Sequence, residues 1–342
     1  MVFVTGGTGF LGSHLIYQLI IKGEKVKALK RAGSNFEMIR RVFFYLGGNV
    51  EELLHKIEWV EGDLLDIYSL DGFLKDVNFI YHCGAMVSFQ KEDKARMQTI
   101  NIEGTANLVN AALKHNISKL CHVSSIAAIG RAENENVINE ETVWKNSQVN
   151  SNYAVSKYGA EMEVWRGIEE GLKAVIVNPS VILGPGELKS GIGSMIRMVK
   201  KGFSFYTRGI NGFVDVRDVA STMIALMENE VINQRFIISA NNIEYKQIFD
   251  WIATYFGKPG PKHPAGKWMS EIAWRVFHIR KLITNKKPLI TKETARTANN
   301  EYLYSNKKIL GTIDFQFLPL QESVNDSCEF YTKSVSNRLY NN

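Results

Sequence analysis

The chain has 342 residues, of which 45% are hydrophobic, 22% are charged and 11% are aromatic. These values are typical of a folded globular protein and exclude a disordered, collagen-like or coiled-coil chain. No run of apolar residues reaches the roughly 18 residues that a membrane-spanning helix needs. Three widely spaced cysteines give neither a disulfide framework nor a metal site. The composition therefore predicts a cytoplasmic protein without a membrane span and without a bound metal.

The excess of positive charge lies in one late segment of the chain. Forty-one lysine and arginine residues against 35 acidic residues give a formal net charge of +6. Nine of the basic residues fall within Lys258–Lys292, where Glu271 is the single acidic residue. A nucleic-acid-binding protein would spread its basic residues along a groove-facing element and interleave aromatic residues. We therefore interpret this segment as a solvated helix face or as the rim of a site for an anionic ligand, and we predict no nucleic-acid partner.

The first two-thirds of the chain alternate short apolar runs with longer segments of helical periodicity. The predicted strands, in chain order, are Val2–Thr5, Lys25–Leu29, Ile57–Val60, Phe79–His82, Leu120–Ser124, Ala174–Asn178 and a returning strand at Gln234–Ser239. Nearly continuous apolar strands that alternate with helices are typical of parallel βαβ units with both sheet faces covered. The crossovers between such strands are right-handed. This pattern predicts an α/β fold with a doubly wound parallel sheet of the Rossmann type, followed by a smaller, mostly helical C-terminal region.

The distribution of proline indicates where the chain changes character. All seven prolines occur at or after Pro179. We predict a dinucleotide-binding domain over residues 1–178, to which the returning strand near 234–239 also belongs. The substrate-binding region is predicted over residues 179–233 and 240–342.

Two features of this later region predict how it contacts a substrate. An apolar stripe at helical spacing predicts an amphipathic helix that packs on the core or acts as a lid, an interpretation that we favour over a helix on a membrane surface. Its positions are Trp268, Ile272, Arg275/Val276, Ile279 and Leu282/Ile283. Aromatic residues that we expect near the substrate pocket are Phe203, Phe205, Tyr206, Phe213 and Trp268. The alternative is that they pack in the core, where such side chains are found more often.

A glycine-rich turn follows the first predicted strand and opens a helix. In TGGTGFLG at residues 5–12, Gly6 suits a tight turn and Gly9 allows the backbone to approach a pyrophosphate. Gly12 lets the helix pack closely on the sheet, and the helix N-terminus stabilises negative charge. The turn therefore predicts a dinucleotide site. The other residues of the turn that we assign to the cofactor are Thr8, Phe10 and Leu11.

The end of the second predicted strand indicates which dinucleotide is bound. NAD recognition usually places an acidic residue there, but this chain has Lys30-Arg31. A guanidinium can bind a 2′-phosphate through two hydrogen bonds. We therefore favour NADP(H), with Arg31 as the main contact and Lys30 as support; NAD(H) remains the alternative if the two cations are merely solvated. Asp63, followed by Leu64, is a candidate acceptor for the adenine amine, and its alternative role is that of a turn residue.

The candidate catalytic group is the pair Tyr153 and Lys157 in the sequence YAVSK. Residues four apart lie on one face of a helix, so the phenol and the ammonium point the same way. A neighbouring cation stabilises a phenolate and lowers the pKa of tyrosine from its usual value of about 10. Ser124-Ser125 ends a predicted strand upstream and supplies a hydroxyl for a substrate carbonyl.

These motifs, taken together and in order, resemble the extended, or atypical, short-chain dehydrogenase/reductases of the NAD-dependent epimerase/dehydratase superfamily. The resemblance runs from residue 1 to about residue 330. The matching pieces are TGGTGFLG, GDLLD around Asp63, HCGA at 82–85, NIEGT at 101–105, VSSIAAIG at 123–130, YAVSK, NPSVILGPG at 178–186 and FVDVRDVA at 213–220.

The resemblance assigns a role to each candidate residue. It implies that Tyr153 is the general acid/base, that Lys157 is its pKa partner and a ribose ligand, and that Ser125 orients the carbonyl. Asn101 takes the place of a helix-disrupting, water-holding asparagine. Further positions implied to contact the cofactor are Cys83, Gly84, Ala85, Ser124, Pro179 and Ser180. The resemblance also implies a homodimer formed through two long helices, one of which includes Tyr153–Gly167.

The residues at particular motif positions indicate which activity of the family to expect. Dehydratases carry Asp-Glu where this chain has Ile126-Ala127, and epimerases carry tyrosines where it has Ile129 and Leu183. The motifs VSSIAAIG and NPSVILGPG are more similar to those of the dihydroflavonol reductase and 3β-hydroxysteroid dehydrogenase branch. The expected activity is therefore NADP(H)-dependent reduction of a carbonyl, or oxidation of a secondary alcohol, on a small organic molecule. The alternatives are an NAD-dependent nucleotide-sugar epimerase and, from another class, a non-catalytic NAD(P)-binding sensor.

Overall fold

The strands of the computed structural model follow the predicted alternation along the chain. The structure describes residues 1–130, 137–147, 150–266, 268–269, 271–272, 274–276 and 297–336. The strands, in chain order, are β1 (Val2–Thr5), β2 (Val26–Lys30), β3 (Ile57–Glu61), β4 (Phe79–His82), β5 (Lys119–Val123), β6 (Ala174–Pro179), β7 (Val181–Leu183), β8 (Phe205–Tyr206), β9 (Ile210–Asp215), β10 (Gln234–Ile238), β11 (Asn241–Glu244) and β12 (His263–Pro264).

Seven of these strands form a parallel sheet at the centre of the molecule. Their spatial order is β10-β6-β5-β4-β1-β2-β3, and every neighbouring pair is parallel. The chain starts at β1, winds outward to β3, and then returns to build the other half out to β10. This is the doubly wound Rossmann sheet that the sequence predicts, so the fold class is confirmed. All seven strands end at one edge of the sheet, which is where such folds bind their ligands.

The helices occupy the segments between the strands. They are α1 (Phe10–Ile21), α2 (Glu37–Tyr45), α3 (Val50–His55), α4 (Ile67–Phe73), α5 (Lys94–Gln98), α6 (Gly104–Lys114), α7 (Asn152–Glu169), α8 (Gly191–Lys200), α9 (Val216–Glu228), α10 (Tyr245–Tyr255), the helix Lys307–Thr312 and the C-terminal helix Leu320–Ser336. A π-helical turn spans Thr99–Glu103, between α5 and α6. Within the described ranges, no helix is both long enough and apolar enough to cross a membrane.

Helices cover both faces of the sheet, which explains why its strands are apolar throughout. On one face, Leu15 of α1 and Met223 of α9 pack into a large cluster that also includes residues of the C-terminal helix. On the other face, Leu70 of α4, Leu108 of α6 and Val164 of α7 form a second cluster. Every residue of β1 and of β6 is buried as a result.

The later part of the chain adds a three-stranded sheet in the order β11-β9-β7. The C-terminal helix is joined to this part by specific contacts. Ser327 accepts a hydrogen bond from the Gly184 backbone N–H at 3.1 Å. Asp326 forms an ion pair with Arg217 at 2.7 Å. The end of the chain is therefore fixed against the strands that follow β6.

The structure corrects two sequence expectations about side-chain position. Trp268, Ile272 and Val276 are 75%, 44% and 57% exposed, so these residues do not pack in the core and the lid alternative stays a prediction. The predicted helix beyond residue 276 lies outside the described residues. Phe213 is fully buried in β9 and packs edge-on against Tyr245, with ring centroids 5.4 Å apart, so it does not line a pocket. Phe213 is therefore a core residue and is removed from the aromatic residues expected near the substrate pocket.

Candidate active site

The glycine-rich turn connects β1 to α1 at the edge where the parallel strands end. Gly6 has φ +71° and lies so close to the end of β4 that a Cβ there would be 2.7 Å from the Cys83 carbonyl carbon. A Cβ on Gly12 would overlap the Gly6 carbonyl oxygen. Gly9 is exposed and precedes the first residue of α1, where helix N–H groups lack partners within the helix. This bare cradle of backbone fits a pyrophosphate.

The remaining residues assigned to this turn lie around the same helix start. Thr8 and Phe10 are half-buried, whereas Leu11 is buried in the core beneath the turn. The Phe10 ring packs edge-on against His14 and fills the space beside Gly186, where a Cβ would be 2.5 Å from the ring. Phe10 therefore connects the turn to the loop that follows β7.

A cavity of about 650 Å³ opens beyond the ends of β2 and β3. Thr8, Arg31 and Asp63 all line it, and the Arg31 side chain is exposed. The Lys30 ammonium, in contrast, lies 2.5 Å from the Glu61 carboxylate in an ion pair. Lys30 is thus already partnered, which leaves Arg31 as the cation facing this cavity from the Lys30-Arg31 pair.

The aspartate near this cavity has part of its carboxylate engaged. One oxygen of Asp63 accepts a hydrogen bond from the Leu65 backbone N–H at 3.0 Å, as a turn residue would. Leu64 is buried and lies against Gly84 and Gly104, where a Cβ would be 3.3 and 3.0 Å from its side chain. The structure therefore gives Asp63 a turn role while leaving it at the cavity wall.

The segment after β4 is fixed next to the glycine-rich turn. The Gly84 N–H donates to the Thr5 hydroxyl at 3.0 Å, and that hydroxyl lies 2.7 Å from His82 Nδ1. Cys83 and Gly84 are half-buried, whereas Ala85 is exposed. Burial raises the pKa of the Cys83 thiol to about 12, so this residue can line a site but is not a nucleophile.

Asn101 lies in the π-helical turn, as a helix-disrupting residue would. Its side-chain oxygen accepts from the Met86 N–H at 2.7 Å, and its amide donates to the Met86 carbonyl and to Ser156, at 2.9 and 3.0 Å. The Asn101 backbone carbonyl accepts a hydrogen bond from Thr105 at 2.6 Å. Asn101 thus holds the segment after β4 against α7 beside Lys157.

The first turns of α7 carry the predicted catalytic pair. The Ser151 hydroxyl caps the helix by accepting from the Ala154 N–H at 2.9 Å. Tyr153 is half-buried and packs edge-on against Phe89, with ring centroids 5.7 Å apart. Lys157 is buried and donates to the Val123 carbonyl at 2.7 Å, at the end of β5. Burial lowers the pKa of Lys157 to about 8, against the opposing influence of the Glu161 carboxylate.

Ser124 and Ser125 follow directly after β5, beside this helix. Ser124 is buried, and Ser125 is half-buried with its hydroxyl accepting from the Ala127 N–H at 3.2 Å. The Asn178 amide donates to the Ser125 carbonyl at 3.0 Å. Pro179 and Ser180 come next in the chain and are both buried at the end of β6. The same edge of the sheet thus holds all the strand ends from which the predicted site residues come.

A buried carboxylate that is not among the predicted site residues is Glu161, which is 1% exposed. It accepts hydrogen bonds from Ser124, Asn178, Trp165 and Arg235, at 2.6, 2.8, 3.3 and 3.2 Å. The signal that could have found it is spacing, because Glu161 continues the four-residue step from Tyr153 to Lys157. No group of three metal-ligating side chains occurs within the part of the chain that the structure describes.

Residues 2–239 match the model of the NAD dependent epimerase/dehydratase family. The chain belongs to this family. It is 27% identical over 336 residues to a Synechocystis protein named as a dihydroflavonol 4-reductase, covering 96% of this chain and 94% of the relative. It is 24% identical to a UDP-glucose 4-epimerase of Vibrio cholerae, covering 81% and 82%. The crystal structure of gox2253 superposes with a TM-score of 0.81 at 29% identity, covering 98% of both chains.

Family membership confirms the resemblance on which the sequence analysis relied. The chain is an NAD(P)-dependent oxidoreductase of the extended short-chain dehydrogenase/reductase type, with relatives in the dihydroflavonol reductase branch. The exposed Gly9 at the uncapped N-terminus of α1 agrees with a dinucleotide-binding turn.

Proposed function

We propose that this protein is an NADP(H)-dependent oxidoreductase that reduces the carbonyl of a small organic substrate, or oxidises the corresponding secondary alcohol. The observation that carries the proposal is the buried Lys157 ammonium one helical turn after Tyr153, held at 2.7 Å by the Val123 carbonyl. A cation fixed in this way favours the phenolate of a nearby tyrosine. Ser125, two residues beyond Val123, presents its hydroxyl at the same strand end.

Each residue has a distinct task in the proposed reaction. A nicotinamide dinucleotide would supply hydride chemistry when bound, and its pyrophosphate would suit the backbone around Gly6 and the N-terminus of α1. Ser125 orients the substrate oxygen by a hydrogen bond. Tyr153 gives a proton to that oxygen during reduction and takes one during oxidation, a contribution of roughly 10²–10⁴-fold to the rate. Lys157 lowers the pKa of Tyr153 by stabilising its phenolate and would donate to the ribose of the cofactor. Asn101 fixes the backbone at Met86.

The preference for NADP(H) rests on Arg31. Its guanidinium is exposed at the cavity beyond β2, and among the described residues no carboxylate is paired with it. Lys30 contributes less than the sequence suggests, because Glu61 already neutralises its charge. A guanidinium can hold a phosphate through two parallel hydrogen bonds, whereas an unphosphorylated ribose offers no such anion.

A fluorescence titration tests this preference. The purified protein is stripped of nucleotide, any nucleotide released is identified, and NADPH and NADH are titrated separately. We expect tighter NADPH binding that weakens by about tenfold or more in Arg31→Ala, which corresponds to about 1.4 kcal/mol, while NADH binding stays nearly unchanged. Arg40→Ala is the matched control, because Arg40 pairs with Glu51 and does not line the cavity. Equal binding of NADPH and NADH by the native protein would overturn the assignment.

An NAD-dependent nucleotide-sugar epimerase is the second candidate. The similarity to the Vibrio cholerae epimerase favours it. Tightly retained NAD together with conversion of a UDP-sugar would establish it over the reductase. A non-catalytic nucleotide sensor is less well supported, because a sensor does not need Ser125, Tyr153 and Lys157.

The proposal includes an organisation of the chain. The nucleotide-binding region comprises residues 1–178 with β10, and the substrate-binding region comprises residues 179–233 and 240–342. The homodimer would form through two long helices, one of which is α7, and light scattering after size-exclusion chromatography tests it. A monomeric mass would contradict this part of the proposal and leave the chemistry unaffected.

A further inference from the structure

We propose that Glu161 is a positioning residue that fixes Ser125 relative to the Tyr153–Lys157 turn and keeps the Lys157 side chain protonated. Both roles, in position and in charge, are properties of the protein without cofactor or substrate. Its catalytic consequence rests on the oxidoreductase function proposed above. Four observations support it: the two oxygens of Glu161 hold different elements, the cluster is buried, its counter-charge comes from another strand, and the other titratable groups around Lys157 are neutral.

One oxygen of Glu161 connects the catalytic helix to the strand ends. Oε2 accepts from the Ser124 hydroxyl at 2.6 Å and from the Asn178 amide at 2.8 Å. The same Asn178 amide donates to the Ser125 carbonyl at 3.0 Å. A single oxygen on α7 therefore fixes both the residue before Ser125 and, through Asn178 on β6, the backbone of Ser125 itself.

The other oxygen carries the counter-charge. Oε1 accepts from Arg235 of β10 at 3.2 Å and from the Trp165 indole at 3.3 Å. Arg235 also donates to the Glu140 and Thr142 carbonyls, at distances of 2.6 to 3.1 Å. The Glu161 carboxylate is thus ion-paired in a buried setting, where charge interactions are weakly screened.

The groups around Lys157 leave Glu161 as the neighbouring anion. Burial lowers the pKa of His82 to about 3 and that of His122 well below its usual range, so both imidazoles are neutral. Burial raises the pKa of Cys83 to about 12, so the thiol is neutral. Glu161 follows Lys157 by one helical turn of α7, and the two side chains bind consecutive residues: Lys157 donates to the Val123 carbonyl, and Glu161 accepts from the Ser124 hydroxyl. From this position Glu161 is the largest of the influences that raise the pKa of Lys157 against the effect of burial.

Removal of this negative charge should therefore release the Lys157 proton more easily. In Glu161→Gln we expect the pKa of Lys157 to fall by about one unit, a tenfold loss of proton affinity. In Arg235→Gln we expect the opposite shift, because the charge of Glu161 is then uncompensated. A role limited to packing would not produce shifts of opposite sign.

The test is an NMR pH titration of the full chain, free of nucleotide and labelled with ¹³C at lysine Cε. Lys157→Met identifies the Lys157 signal. Glu163→Gln is the matched control, because Glu163 lies on the same helix and pairs with the half-exposed Arg166. Glu161→Asp keeps the charge and is expected to retain most of the Lys157 pKa. Circular dichroism verifies that each variant folds.

A lowered pKa in Glu161→Gln, with Glu163→Gln unchanged, would support the proposal. An unchanged Lys157 pKa in folded Glu161→Gln would overturn it. If Glu161→Gln does not fold, Arg235→Gln and Glu161→Asp decide. An unchanged Lys157 pKa in Arg235→Gln would overturn the proposal. A Lys157 pKa that is one unit lower in Glu161→Asp would also overturn the proposal. The Lys157 titration needs neither cofactor nor turnover. Its result is therefore independent of whether the NADPH titration supports the proposed function.

Discussion

Replacement of Gly6 by alanine tests the packing of the nucleotide turn against β4. A left-handed backbone costs an alanine about 1–2 kcal/mol. The new Cβ would also lie 2.7 Å from both the Cys83 carbonyl carbon and the Gly84 nitrogen, which are backbone atoms and cannot move aside freely. Overpacking of this kind adds roughly 1–3 kcal/mol. We therefore expect Gly6→Ala to lose about 2–5 kcal/mol of stability.

Gly23→Ala is the matched control for this experiment. Gly23 has a similar φ of +86°, but no atom lies within 4 Å of the Cβ position, so alanine there pays only the conformational cost. The measurement is the Tm of each variant by differential scanning calorimetry, followed by an NADPH titration. Gly6→Ala should show the larger loss of Tm and at least a tenfold weaker NADPH affinity, whereas Gly23→Ala should bind NADPH normally. Equal losses of Tm would refute the argument that close contact with β4 matters.

Three further predictions concern the site and the C-terminal contacts. Tyr153→Phe should lower carbonyl reduction by at least about 10²-fold with nearly unchanged NADPH affinity, while Tyr158→Phe on the same helix keeps its activity; equal activity of both variants would contradict the role of Tyr153. Burial raises the pKa of Asp218 from 3.8 to about 7, so the folded state keeps a proton that the unfolded state has already released. Stability therefore falls as pH rises through this window, and the Tm advantage of Asp218→Asn over the native protein should grow between pH 5 and pH 8; a constant difference would count against this. Asp215 is fully buried and binds Arg217 through both oxygens, so Asp215→Asn should lose about 3–5 kcal/mol in urea denaturation, and a loss below about 1 kcal/mol would show that the pair is unimportant.

Local patterns in the sequence were sufficient for much of the fold. The apolar run Val2–Thr5 followed by glycines predicted β1 and α1, since turn chemistry and periodicity are both local. The same holds for the placement of Tyr153 and Lys157 on one helix. Strand ends were less accurate: β2 runs one residue later than predicted and includes Lys30, and β5 ends before Ser124.

What the sequence analysis missed depends on contacts between distant segments. Lys30 meets Glu61 because they are register partners in the parallel pair β2 and β3, a fact that spacing along the chain does not carry. Glu161 could not be singled out from its own helix, because its partners Ser124, Asn178 and Arg235 lie just after β5, on β6 and on β10. Phe213 was read as a pocket residue because an aromatic side chain in a loop-rich region does not itself indicate whether it lies in the core.

The position of β10 has a consequence for the order in which the protein is made. β6 ends at Pro179, but its outer neighbour β10 begins at Gln234, after the chain has built β7, β8, β9 and α9. Until residue 238 has left the ribosome, the nascent chain exposes an unpaired strand edge along β6. During this time Glu161 lacks its ion-pair partner Arg235. The strand that completes the parallel sheet is therefore translated after β7, β8 and β9, which lie outside that sheet.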